Sequence, residues 1–101
     1  MTTVNLYTNN INNPRNIKAW VTFFKKYLPE WELQQKSAEN ILDNNPTHIL
    51  FPGGSGKTFA KRLGQFRLDE ISEWVKQGGS YIGVCAGAYL AVQHLNIAPL
   101  S

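Results

Sequence analysis

The chain has 101 residues, 43% of them apolar and 17% charged, a composition that bounds it to one small globular domain and excludes a disordered or low-complexity chain. Its net charge of +3 comes from ten Lys and Arg against seven Asp and Glu, scattered without a block of like sign, which is too weak a balance to imply a nucleic-acid partner. The one cysteine allows no internal disulfide, no signal-peptide pattern stands at the amino terminus, and every apolar run breaks well short of the roughly 20 residues that span a bilayer. The expectation is a cytoplasmic, soluble protein with no membrane partner.

In chain order, Thr3 to Tyr7 alternates Val4 and Leu6 with polar residues and stops at the Asn-rich run Asn9 to Asn13, so a strand and a turn are predicted. Asn13 and Pro14 supply a cap and a first-turn proline, and Ile17, Trp20, Val21, Phe24, Tyr27 and Leu28 recur at helical spacing until Pro29. Trp31 to Lys36 reads as a second strand. Ser37 can then cap a short helical turn carrying Ile41 and Leu42, broken by Asn44, Asn45 and Pro46.

Thr47 to Phe51 is an unbroken β-prone run, which suits a strand buried on both faces of a parallel sheet. A short helix over Phe59 to Leu63 and a longer one over Leu68 to Gln77 follow. The longer helix turns Ile71, Trp74 and Val75 inward and stops at Gly78. Ser80 to Val84 is the next strand, and Ala86 to His94 resumes a helical pattern through Tyr89, Leu90 and Val92. Strands alternating with helices imply parallel βαβ units: an α/β, Rossmann or flavodoxin-like three-layer sheet of about four strands in the order 2-1-3-4, with residues 1–101 as a single, partial domain.

The strongest chemical signal is Gly83-Val84-Cys85-Ala86-Gly87, a G-x-C-x-G between a predicted strand and a predicted helix. Gly83 and Gly87 leave room for a sharp turn that exposes Cys85 at the carboxyl edge of the sheet. A helix amino terminus there would favour the thiolate, making Cys85 the candidate nucleophile. The second signal is the loop Pro52-Gly53-Gly54-Ser55-Gly56. The amides of Gly53, Gly54 and Ser55, with that of Ala86, could receive an oxyanion or ligand.

Gly56-Lys57-Thr58 copies the end of a nucleotide-binding P-loop, but Phe51 stands where the leading glycine is required, so that reading fails. Lys57, Lys61, Arg62 and Arg67 could attract an anionic ligand toward the glycine loop, although a solvated helix face explains them as well. Neither histidine suits the role of base. His94 lies nine residues past Cys85, about 13 Å along a helix, and His48 opens the strand whose other end carries the glycine loop.

Ile49-Leu50-Phe51-Pro52-Gly53-Gly54 and Gly78-Gly79-Ser80-Tyr81-Ile82-Gly83-Val84-Cys85-Ala86-Gly87-Ala88-Tyr89 together resemble the class I glutamine amidotransferase-like superfamily, closest to the biotin-protein ligase amino-terminal domain family. The resemblance implies Cys85 at the nucleophile position and Gly53, Gly54 and the Ala86 amide at the oxyanion positions. No metal and no cofactor are expected. In amidotransferases the His and Glu of the triad come from well beyond the elbow, whereas here Ser101 follows Cys85 by sixteen residues. A chain cut from a longer one, a half-domain completed by a partner, and a remnant that binds without catalysing all fit.

The expected function is an amidotransferase-like binding or regulatory module taking a small amide or anionic ligand. The alternative is a cysteine-dependent amidohydrolase or glutamine amidotransferase whose His and Glu lie on an absent segment or partner chain. A homodimer or a completing partner chain is expected, through the edge of Ser80 to Val84 or the helix face of Tyr89, Leu90 and Val92, unless Leu95 to Leu100 folds back over that surface.

Overall fold

The alternation of Val4 and Leu6 with Asn5 and Tyr7 sends side chains to opposite sides of a strand, and in this fold both sides are covered. A computed structural model describes residues 1–8, 14–52, 56–84 and 95. In chain order these form β1 (Thr3–Tyr7), α1 (Pro14–Tyr27), β2 (Glu32–Lys36), a short 3-10 turn (Ala38–Asn40), β3 (His48–Phe51), α2 (Gly56–Lys76) and β4 (Ser80–Gly83). All strand pairs are parallel and the order is β2-β1-β3-β4, the arrangement expected from the alternating elements.

Period two divides the core. Val4, Leu6 and Leu50 meet Phe24 of α1, with Ile17, Trp20, Val21, Leu28 and Leu33 packed around them. Tyr7, Ile49 and Phe51 face the other way, onto Phe59, Leu63, Leu68 and Ile71 of α2. The result is three layers with one helix on each side of the sheet, and it explains why β1 and β3 are buried on both faces. Burial of the central strand makes Asn5 an interior polar residue. Its amide donates to the carbonyls of Ile41 (2.9 Å) and Asp43 (3.0 Å), tying the turn after the 3-10 segment to the sheet.

Several boundaries differ from expectation for identifiable reasons. Trp31 and Thr47 precede their strands, Trp31 packing on Phe24 and His48 while Thr47 turns its hydroxyl to Thr3. Tyr27, placed inward by helical spacing, is 61% exposed, its ring against Phe23 at 5.1 Å under the Lys26 ammonium. Ser37 does stand at the amino end of the 3-10 turn, but its hydroxyl makes no capping bond. It accepts from the Asn40 amide at 3.2 Å, and Ile41 and Leu42 fall after the turn.

The two helices expected after the glycine loop are both present within α2, separated at Gly64, whose φ of 76° and ψ of 163° are open to glycine alone. The first half begins at Gly56 and reaches Leu63, so it is longer than the Phe59–Leu63 span expected. The second half ends as the sequence implied. Gly78 (φ 109°) donates to the Val75 carbonyl and Gly79 to that of Trp74, both at 3.0 Å, which is the Schellman closure of a helix. Gly79 is needed for a second reason: a Cβ there would stand 2.3 Å from the Trp74 ring. Leu95 is buried in the α2-side core, where its carbonyl accepts the Ser72 hydroxyl at 2.7 Å. Among the described residues no helix is long and apolar enough to cross a membrane.

Candidate functional site

The carboxyl edge of the sheet is where open α/β folds gather their loops, and the register of β3 and β4 determines what meets there. Phe51 lies opposite Gly83, and the Val84 N–H donates to the Phe51 carbonyl at 3.1 Å, one residue past the strand proper. Pro52 and Val84 therefore leave the sheet side by side. They directly precede the glycine loop and the cysteine motif. Gly83, expected to support the elbow, ends β4 and is half-buried. Gly53, Gly54, Ser55, Cys85, Ala86 and Gly87, as well as His94, lie outside the described residues.

Beneath this edge runs a row of rings that sequence reasoning did not single out. Tyr7 of β1 stacks on Phe51 of β3 at 4.8 Å and 18°, and Phe51 stacks on Tyr81 of β4 at 5.5 Å and 20°. Phe59, in the first turn of α2, sets its edge on Tyr7 at 5.1 Å and closes on Phe51 at 5.8 Å. Phe51 is thus the hub of four rings from three strands and a helix. Its full burial also explains why no glycine stands there, as a P-loop would require. The signal was present as aromatic residues at strand positions of matching parity, but it becomes visible only once strand order and register are known. Burial pushes the Tyr81 phenol above its ordinary value.

Next to Tyr7, at the carboxyl ends of β1 and β2, a cavity of about 240 Å³ is lined by Tyr7, Ser37, Ala38, Glu39 and Arg62. Of the basic residues expected near the loop, Arg62 alone borders it. Lys57, Lys61 and Arg62 are exposed on α2, whereas Arg67 pairs with Glu70 at 2.6 Å and lies over the Phe66 ring. The cluster is chiefly a solvated helix face, in agreement with the plainer of the two sequence readings. Among the described residues no three His, Cys, Asp or Glu side chains gather as a metal site would need.

The opposite edge is closed by side-chain hydrogen bonds. The Thr47 hydroxyl accepts the Thr3 N–H (2.9 Å) and donates to the Thr3 carbonyl (2.7 Å), while the Thr3 hydroxyl accepts the Thr47 N–H (3.0 Å). With its one proton given to Thr3, the Thr47 hydroxyl accepts the Nδ1–H of His48 at 2.9 Å. The His48 ring also packs on Trp31 at 4.9 Å. Three residues of strand separate His48 from Phe51, roughly 10 Å at 3.3 Å per residue, so this imidazole serves the amino edge and has no access to the other.

Comparison with known proteins identifies the family. A model of the family described as "Biotin-protein ligase, N terminal" matches residues 2–98. The chain is also 33% identical over 58 residues to an uncharacterized protein of Chlamydia muridarum, an alignment that takes in 57% of this chain and 22% of that protein. It therefore spans only about a fifth of the relative's length. No solved structure gives a significant match. With residues 2–98 inside the family model, the protein belongs to the biotin-protein ligase N-terminal domain family.

Proposed function

We propose that the chain is an amidotransferase-like binding or regulatory module, in which Cys85 and the Gly53–Ser55 loop together receive a small amide or anionic ligand at the carboxyl edge. The observation that carries the reading is the β3–β4 register. Phe51 opposite Gly83, with the Val84 N–H on the Phe51 carbonyl, starts the two motifs from neighbouring strand ends. A thiol on one segment and a run of glycine amides on the other are the parts of a nucleophile and its oxyanion hole. In this reading Gly83 and Gly87 give the turn its clearance, Gly53, Gly54, Ser55 and the Ala86 amide hold the anionic part of the ligand, and Arg62 adds long-range attraction.

Of the two histidines, His48 is tied to Thr47 and Trp31 at the far edge, which favours binding over turnover at this site. A cysteine without a base and its orienting acid can be a good nucleophile yet a poor hydrolase.

The single cysteine makes the test direct. Alkylation of Cys85 followed against pH is expected to give an apparent pKa below the free-thiol value of about 8.5, with protection by glutamine or a small carboxylate. The same protein should release no ammonia from glutamine. An unshifted thiol without protection would overturn the reading, and ammonia release lost in Cys85→Ser would replace it with the hydrolase.

A further inference from the structure

The sheet has two outer strands, β4 and β2, and they differ as surfaces for association. The sequence predicts self-association at the edge of Ser80 to Val84 or at the helix face of Tyr89, Leu90 and Val92; the latter lies outside the described residues, and Ser80-Tyr81-Ile82-Gly83 carries no charge by which one copy would select another. On the other side, no described residue pairs with the outer edge of β2. We propose that β2 is a homodimer interface, pairing antiparallel with β2 of a second copy about a two-fold axis at Gln34 and joining two four-stranded sheets into one of eight.

Backbone direction and charge order agree on this register. In a parallel pair, residues along a strand alternate between bonding the neighbour and pointing away from it. The Glu32 N–H donates to the Thr2 carbonyl and the Lys36 carbonyl accepts from the Thr8 N–H, so even-numbered residues of β2 face β1. The amides and carbonyls of Leu33 and Gln35 therefore point outward. An antiparallel mate centred on Gln34 sets Leu33 opposite Gln35 of the second copy, both outward, so each such pair exchanges two backbone hydrogen bonds.

The same register puts Glu32 opposite Lys36 of the second copy, and Lys36 opposite Glu32. These are non-hydrogen-bonded pairs, whose Cα atoms approach to about 4.5 Å and whose side chains meet most closely. Shifting the register by two residues breaks both charge pairs. Glu-Leu-Gln-Gln-Lys is thus complementary to its own reverse, the property a two-fold axis requires of an interface.

A groove of mixed character lies beside this edge. Between α1 and β2 is a groove of about 410 Å³ whose walls include Phe24, Leu28, Trp31 and Leu33. A two-fold axis perpendicular to the sheet keeps both α1 helices on the same side, so the two grooves flank the axis. Gln35 of each copy then lies across from Leu33 of the other.

Sedimentation equilibrium of the full chain from micromolar to millimolar concentration is expected to show reversible growth from 11.4 kDa to twice that mass. Glu32→Lys alone and Lys36→Glu alone should each weaken association about tenfold, because each sets like charges across the axis twice. The double variant carrying both changes should return to the parent value. Gln35→Pro, which removes an outward N–H that β1 does not use, should abolish the dimer while leaving the circular dichroism unchanged. A chain that is monomeric at every concentration would overturn the proposal. So would a dimer whose dissociation constant moves less than about two-fold under both single reversals, since surface ion pairs that matter shift it more.

Discussion

The two edges of the sheet are held by different physics. At the amino edge polar side chains do the joining: Thr3 and Thr47 exchange three hydrogen bonds, His48 adds a fourth, and Gly78 and Gly79 close α2 onto the strand that follows. At the carboxyl edge the joining is done by rings, with Tyr7, Phe51 and Tyr81 stacked across three strands and Phe59 sealing them from α2. A polar clasp at the surface competes with water and contributes little, whereas a buried aromatic row removes large apolar area and holds its neighbours by shape. The contrast suits a protein whose motif-bearing loops leave from the carboxyl edge.

If that division is right, the largest loss should come from the hub of the ring row. Phe51→Ala is expected to cost about 4 kcal/mol, since it removes a fully buried ring and unstacks both Tyr7 and Tyr81. Urea unfolding should show this as a lower midpoint, and a cost near 1 kcal/mol would mean that the rings are neighbours without being a unit.

A smaller effect is expected from crowding at the amino edge. Gly79→Ala drives a methyl into the half-buried Trp74 ring, and about 2 kcal/mol is expected. Trp74 fluorescence offers a local readout, because the indole has to shift to make room.

Breaking the clasp should matter least. Thr47→Val keeps the shape but deletes the hydroxyl that serves the Thr3 N–H, the Thr3 carbonyl and His48; the site is exposed, water replaces much of the loss, and about 1 kcal/mol is expected. A cost matching that of Phe51→Ala would erase the distinction between the edges.

The ring row also has a pH signature. Burial raises the Tyr81 pKa above its ordinary value of 10.0, so the unfolded chain releases that proton first as pH rises. The contribution is complete below the ordinary tyrosine value and is lost progressively above it, toward the raised folded-state value. Unfolding followed across alkaline pH should therefore show a decline that Tyr81→Phe reduces, while Thr47→Val leaves its slope unchanged.

Much of this was readable from residue order. Val4 and Leu6, Ile49 to Phe51, the helical recurrence of Ile17, Trp20, Val21 and Phe24, and the glycine stop at Gly78 each depend on a few consecutive residues. Periodicity and turn chemistry report such local structure directly. Parallel topology followed from the alternation of strands and helices, because a parallel strand needs a crossover. Placement of His48 away from the glycine loop needed only its position at the opposite end of one strand.

Other features depend on which strand neighbours which. Asn5 is one of the polar residues that alternate with Val4 and Leu6, yet it is interior because β1 is central and its second face is covered as well. Tyr27 shares the spacing of the buried α1 residues but is exposed, its ring resting on Phe23 and not on the sheet core. The ring row joins residues 7, 51, 59 and 81, and the β2 edge acquires its outward Leu33 and Gln35 only from the register with β1. The sequence by itself determined the local elements, their order and the motifs they carry, because those rest on contacts a few residues apart. Only the tertiary structure decided which faces are covered, which rings meet and which edge is left for a partner, because burial and strand register are set by contacts between residues far apart in the chain.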